Sequence, residues 1–284
     1  MMAQLIDRRA LKAQMKDLVR TAQVSAIGMT ALYLLLLLIL NLADTLVGVS
    51  TWDPLRSAGA SPFLGIFVSI LTYLMNMVLG AGYVFYCMTI RRGERAEYIT
   101  LFDGFSYVGR VIGLNIVMGI FIALWSMLFV IPGIIASYRY RFALYNLLEN
   151  PDMGILEALD RSKEQTYGYK GQLFLLDLSY LGWGVLAVLP ALVINYSVTV
   201  QSMSAILTNT QVVYTGLAAL PTVVTTLVCG VWGLVVSLLY LPVYQCTDLG
   251  YYEIAKQPWS DSQASGGSWN NRNRDNGPDG LGGL

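Results

Sequence analysis

The sequence predicts an all-α polytopic membrane protein: six transmembrane helices with interfacial amphipathic helices. Three observations carry that reading. Of 284 residues, 55% are hydrophobic and only 13% charged, with a mean hydropathy of +0.55, whereas soluble domains carry about 25% charged residues. The apolar residues fall into charge-free runs, most of them long enough to cross ~30 Å of hydrocarbon at ~1.5 Å per residue. The basic residues between those runs are distributed unevenly, and that asymmetry selects a topology.

Residues 1–20 form a basic amphipathic helix, because Arg8, Lys12, Lys16 and Arg20 recur every fourth residue while Leu11, Met15 and Leu18 take another face. Those four cations are candidate contacts for an anionic inner leaflet. With no small-residue cleavage site after the first apolar run, no removable signal peptide is expected. Span one covers about 21–43 and contains LYLLLLLIL; a polar loop with Asp44, Asp53, Pro54 and Arg56 leads to span two at about 63–90. Residues 91–110 mix charge with Ile99, Leu101, Phe102 and Phe105, as an interfacial amphipathic helix does. Span three, about 111–131, is expected to stop at Pro132-Gly133, a pair that interrupts helices.

The fourth span, about 133–149, is the pivotal one. Its length of ~24 Å falls below the usual hydrocarbon thickness. A kinked or re-entrant crossing therefore stands beside a regular one, as does a helix lying in the interface with Tyr138, Tyr140 and Tyr145 at head-group level. Asn150-Pro151-Asp152 then opens a polar helix at 152–170, in which Glu157 and Arg161 form an i,i+4 pair and Gly168 provides a stop. Span five covers about 171–194. A polar, charge-free connector at 195–220 leads to span six, about 221–247, which Asp248, Tyr251, Tyr252 and Glu253 close with a charged, aromatic boundary. The Gly/Asn/Ser/Asp-rich residues 257–284 read as a disordered tail.

Charge placement chooses among these topologies. With six spans, fifteen basic residues share one side, Arg56 alone takes the other, and Arg139 and Arg141 lie within a span. With five, the division is nine and nine. The positive-inside rule favours six spans with both termini cytoplasmic. Two arginines at membrane depth then need partners. Arg141 lies ~12 Å from the inner end of its helix and Asp177 ~10 Å into its own, so an Arg141–Asp177 pair is expected. Arg139 points elsewhere, outward or towards Asp44. Arg139, Arg141, Asp177 and Asp248 are the candidate intramembrane polar site.

Several function classes drop out. With no histidine, there is no Ser-His-Asp triad and no His-based metal site, and Cys87, Cys229 and Cys246 lack metal-ligand spacing. No cofactor, metal or nucleic acid is expected, since the formal charge is zero and no dense basic block occurs. Asp103, Glu157 and Asp160 read as solvated helix faces, no nucleophile has a base beside it, and the protein is read as non-enzymatic.

At residues 131–183, IPGIIASYRYRFALYNLLENPDMGILEALDRSKEQTYGYKGQLFLLDLSYLGW, the chain resembles a bacterial integral-membrane family called domain of unknown function 975. The basic N-terminal helix and Pro242-Val243-Tyr244 before Tyr251-Tyr252-Glu253 are similar to that family's two ends. More loosely, IPG followed by EALDRS is similar to the membrane domain attached to some bacterial glycerophosphodiester phosphodiesterases, which implies a helical module and no catalysis. The expected role is handling or sensing a lipid or small amphiphile. A structural partner of a membrane complex, docking through 152–170, is the alternative. A secondary transporter comes third, suggested by a faint echo between GFSYVGRVIGLNI, with its proline at Pro132, and YGYKGQLFLLDL, with its proline at Pro190.

Overall fold

A computed structural model describes residues 6–21, 25–47, 62–210 and 222–272. Among them the order is α1 (Arg8–Thr21), α2 (Ala26–Val47), α3 (Pro62–Arg91), a 3₁₀ helix (Tyr98–Tyr107), α4 (Val108–Leu128), α5 (Val130–Arg139), α6 (Ala143–Glu149), α7 (Ile155–Gln165), α8 (Lys170–Leu207) and α9 (Thr222–Arg272), with no strand. Among the described residues, five helices are long and apolar enough to cross a membrane: Ala26–Val47, Gly65–Arg91, Tyr98–Leu128, Lys170–Leu207 and Val223–Lys256. The chain is a helical membrane protein.

The core sits at one end of the bundle. Met15, Met29, Tyr86, Leu101, Phe142, Leu173 and Leu249 are fully buried there, while Ile39, Ile70, Leu124, Leu189 and Val235 stand exposed further along the same long helices. An apolar surface of that extent suits lipid rather than water. Polar contacts gather at this packed end: Arg91 forks onto Glu253, and Glu149 meets Arg92, Lys256 and Tyr252.

Residues 133–149 are not one helix. α5 ends at Arg139, residues 140–142 form a turn, and α6 starts at Ala143. The two pieces still run back along α4. Gly133 lies against Ser126, Tyr140 stacks on Phe121 at 6.0 Å, and Ala143 and Leu147 pack with Leu114. The chain thus returns to the packed end before α8 begins.

Several expected boundaries move. The break after α4 falls at Phe129, extended at φ −160°, and not at Pro132-Gly133. Pro132 occupies the first turn of α5, where a missing N–H costs nothing. Pro190 lies inside α8, which continues to Leu207, so the two prolines are not equivalent stops and the internal echo loses its structural counterpart. Part of the 195–220 connector is therefore helical; 211–221 lie outside the described residues. α9 continues to Arg272, well into the segment expected to be disordered, and 273–284 lie outside the described residues.

Residues 91–110 also differ from a single interfacial helix. The 3₁₀ segment is pressed onto α3: a Cβ on Gly82 would fall 1.8 Å from the Leu101 carbonyl oxygen, and one on Gly104 2.5 Å from that of Val78. Only glycine permits so close an approach of two backbones. Arg110 already belongs to α4.

The N-terminal helix docks on protein. Leu11, Met15 and Val19 are its buried stripe, displacing the expected Leu18, and they join the core beside Cys246, Leu249 and Tyr251.

Candidate functional site: an ionic centre beside a cleft

The turn at 140–142 is what presents Arg141. A helix break frees backbone groups that need new partners. Here α7 supplies them: the Phe142 N–H donates to Ser162 Oγ (3.1 Å), and the hydroxyls of Ser162 (2.9 Å) and Thr166 (3.2 Å) donate to the Arg139 carbonyl. Asn146 and Gln165 exchange two amide hydrogen bonds alongside, at 2.8 and 3.1 Å. The polar helix at 152–170 is thus a clamp on the break, with Ala158, Leu159, Ser162 and Gln165 buried.

Released from a regular helix, the Arg141 guanidinium reaches two others. It forks onto Asp177 of α8, Nη1 to Oδ2 at 2.7 Å and Nη2 to Oδ1 at 2.9 Å, while Nε donates to Asp248 of α9 at 2.8 Å. Nη2 also donates to Tyr244 Oη at 2.7 Å. Around this core, Tyr138 and Tyr244 donate to Asp177 at 2.7 and 2.9 Å, Tyr145 donates to Asp248, and Gln245 Nε2 donates to Tyr145 Oη at 2.9 Å. Asp248 is only 3% exposed. A carboxylate buried that deeply is tolerable because charge-assisted hydrogen bonds replace its water.

Thus Arg141 and Asp177 meet, and Asp248 completes the centre. Arg139 does not join: it lies close enough to Lys170 for the two cations to repel, and Asp44 accepts instead from Ser69 Oγ at 2.8 Å, near the opposite end of α2. The sequence reading passed over Tyr138, Tyr145, Tyr244 and Gln245 as members, and Ser162 and Thr166 as supports. Tyrosines near a buried ion pair are the one signal that was present, since a buried phenol needs a hydrogen-bond partner.

Thr30, one turn into α2, bonds Tyr83; Cys87, one turn further along α3, meets Cys246, two residues before Asp248. The first turn of α2 and the ionic centre therefore share a level.

Beside the centre is a cleft of ≈ 460 Å³ between α2, α3, α4, α5, α6 and α9, whose wall includes Arg141, Tyr145 and Gln245 together with Asn76, Met118 and Ile122. Ligand pockets of roughly 300–1,000 Å³ are typical for small molecules. Asn76 Oδ1 is buried there without a hydrogen-bond partner.

The four N-terminal cations divide. Arg8 donates to the Leu175 carbonyl at 2.9 Å, and Lys12 donates to Ser179 Oγ at 2.6 Å with its ammonium 4.0 Å from the centroid of the Tyr180 ring. Burial, and then the Arg8 charge, lowers the Lys12 ammonium below the ordinary lysine value. Lys16 and Arg20 are exposed. Among the described residues, no three Cys, Asp or Glu side chains are grouped to hold a metal ion.

Residues 126–257 match the profile of a family described as a protein of unknown function (DUF975). Every residue of the ionic centre falls inside that stretch. No curated protein and no solved structure matches the chain.

Proposed function

We propose that this membrane protein is non-enzymatic and binds a lipid or small amphiphile in the cleft beside Arg141, Asp177 and Asp248, to carry or sense it. The observation that carries the reading is the cleft itself: a mostly apolar space, open to a buried polar network at one wall, matches a molecule with a tail and a polar head. The likeness to a family of unknown function supplies no activity, so the reading rests on geometry. In the same reading the α5–α6 pair forms the sixth crossing and the packed end faces the cytoplasm, where the positive-inside rule puts it.

The test is native mass spectrometry of the detergent-extracted protein against Gly80→Leu. Gly80 lines the cleft, and a Cβ there has only Tyr33 Oη nearby, at 3.8 Å, so the larger side chain fills the space without striking backbone. Wild type retains an amphiphile and the variant does not. A wild type with nothing retained overturns the reading.

A role as assembly partner has one observation of its own. α7 and the turn after it expose Leu156 (61%) and Tyr167 (73%), and exposed apolar side chains on a docked helix suit a protein partner. Loss of a co-purifying protein in Leu156→Ser/Tyr167→Ser would support it.

A further inference from the structure

The chemistry of the cleft wall restricts what the ligand's head can be. We infer that the head is neutral or cationic and donates hydrogen bonds, as an amine or polyol does, and is not a phosphate or carboxylate; this rests on the cleft being the ligand site.

The arginine invites the opposite conclusion, and charge counting removes it. Among the described residues, Arg141 is the only charged one lining the cleft, and it is already paired with two carboxylates, Asp177 and Asp248. Even with one carboxyl protonated, the centre has no surplus positive charge. Its donors are also largely committed: four of the about five guanidinium N–H groups go to Asp177, Asp248 and Tyr244. An anion placed here would face two carboxylates in a poorly solvated site, where like charges repel strongly.

Two hydroxyls on the wall follow the same pattern. Tyr145 gives its proton to Asp248, and Ser137 gives its own to the Ile134 carbonyl. Among the described residues, the fully buried polar side-chain atom of the wall without a partner is an acceptor, Asn76 Oδ1. A buried acceptor left unmatched costs free energy that a donor on the ligand removes. Two hydroxyls and an arginine with donors spent inward, beside an acceptor that has no donor, select a head group that donates.

Dodecylamine and dodecanoate share a chain length and differ in the head. Each is titrated into the full-length protein in uncharged detergent, with Gly80→Leu as the blocked control and Asn76→Leu as the head-group variant. Dodecylamine should bind wild type about tenfold or more tightly than dodecanoate, the scale of one buried hydrogen bond or one uncompensated charge. Asn76→Leu should erase about tenfold of the amine affinity; since it removes an unpartnered acceptor, it should leave thermal stability equal or higher. Dodecanoate binding as tightly as the amine, or amine binding unchanged in Asn76→Leu, overturns the inference while leaving the cleft reading intact. Wild type binding neither probe, or both no better than Gly80→Leu, overturns the cleft reading itself.

Discussion

Arg141 is worth more to this fold than its charge suggests, because removing it leaves Asp177 and Asp248 facing each other without a cation. Breaking a buried ion pair by deleting one partner costs about 3–5 kcal/mol. Arg141→Ala should lose that much in a denaturant titration of the detergent-solubilised protein. Arg141→Lys should recover only part, since an ammonium cannot fork onto Asp177 while also reaching Asp248. Of this centre, Arg141 and Asp177 were legible in the sequence, because both depths follow from helix rise and the position of flanking charges. Asp248 was legible as a candidate member of the polar site, with no partner assigned to it. That it closes the centre depends on α9 lying beside α5–α6, which no local pattern records.

At the scale of elements, α7 decides where Arg141 points. Ser162 serves both sides of the break, accepting from Phe142 N–H and donating to the Arg139 carbonyl. Ser162→Ala should cost about 1–3 kcal/mol, the penalty for unsatisfied buried backbone groups, read by the same titration. The packing of the 3₁₀ segment on α3 gives an independent check: Gly82→Ala, whose Cβ would overlap the Leu101 carbonyl, should cost about 1–3 kcal/mol from overpacking. Neither contact was visible beforehand. Residues 152–170 looked solvated because Asp152, Glu157, Asp160, Lys163 and Lys170 are charged, yet the stripe Ala158, Leu159, Ser162 and Gln165 is buried. A helix this polar announces its wet face; its small, hydrogen-bonding dry face resembles surface until the partner is known. Pro132 misled in the same way, since proline interrupts a helix interior but is at home in a first turn.

Over the whole molecule, the packed end gathers α1, α7 and the start of α8 on one side of the long helices, which gives topology a direct test. In a cysteine-free background, Lys16→Cys and Tyr167→Cys, both at exposed positions, should share one response to a membrane-impermeant maleimide on intact cells. Leu207→Cys, at the far end of α8 and 79% exposed, should give the opposite one. Tyr167→Cys labelling together with Leu207→Cys would show that the chain does not return through α5–α6. The sequence by itself determined the helical membrane class, most of the long apolar helices and the need of Arg141 for an acid at matching depth. These follow from hydropathy, helix rise and charge placement, which accumulate residue by residue along the chain. Only the tertiary structure decided that the helix breaks at 140–142, that Ser162 and Thr166 hold the break, that Asp248 and three tyrosines join Arg141 and Asp177 in one network, and that a cleft with an unpartnered acceptor in its wall lies beside them. Each of those depends on groups brought together from distant helices, where hydrogen-bond closure and packing, not local preference, select the geometry.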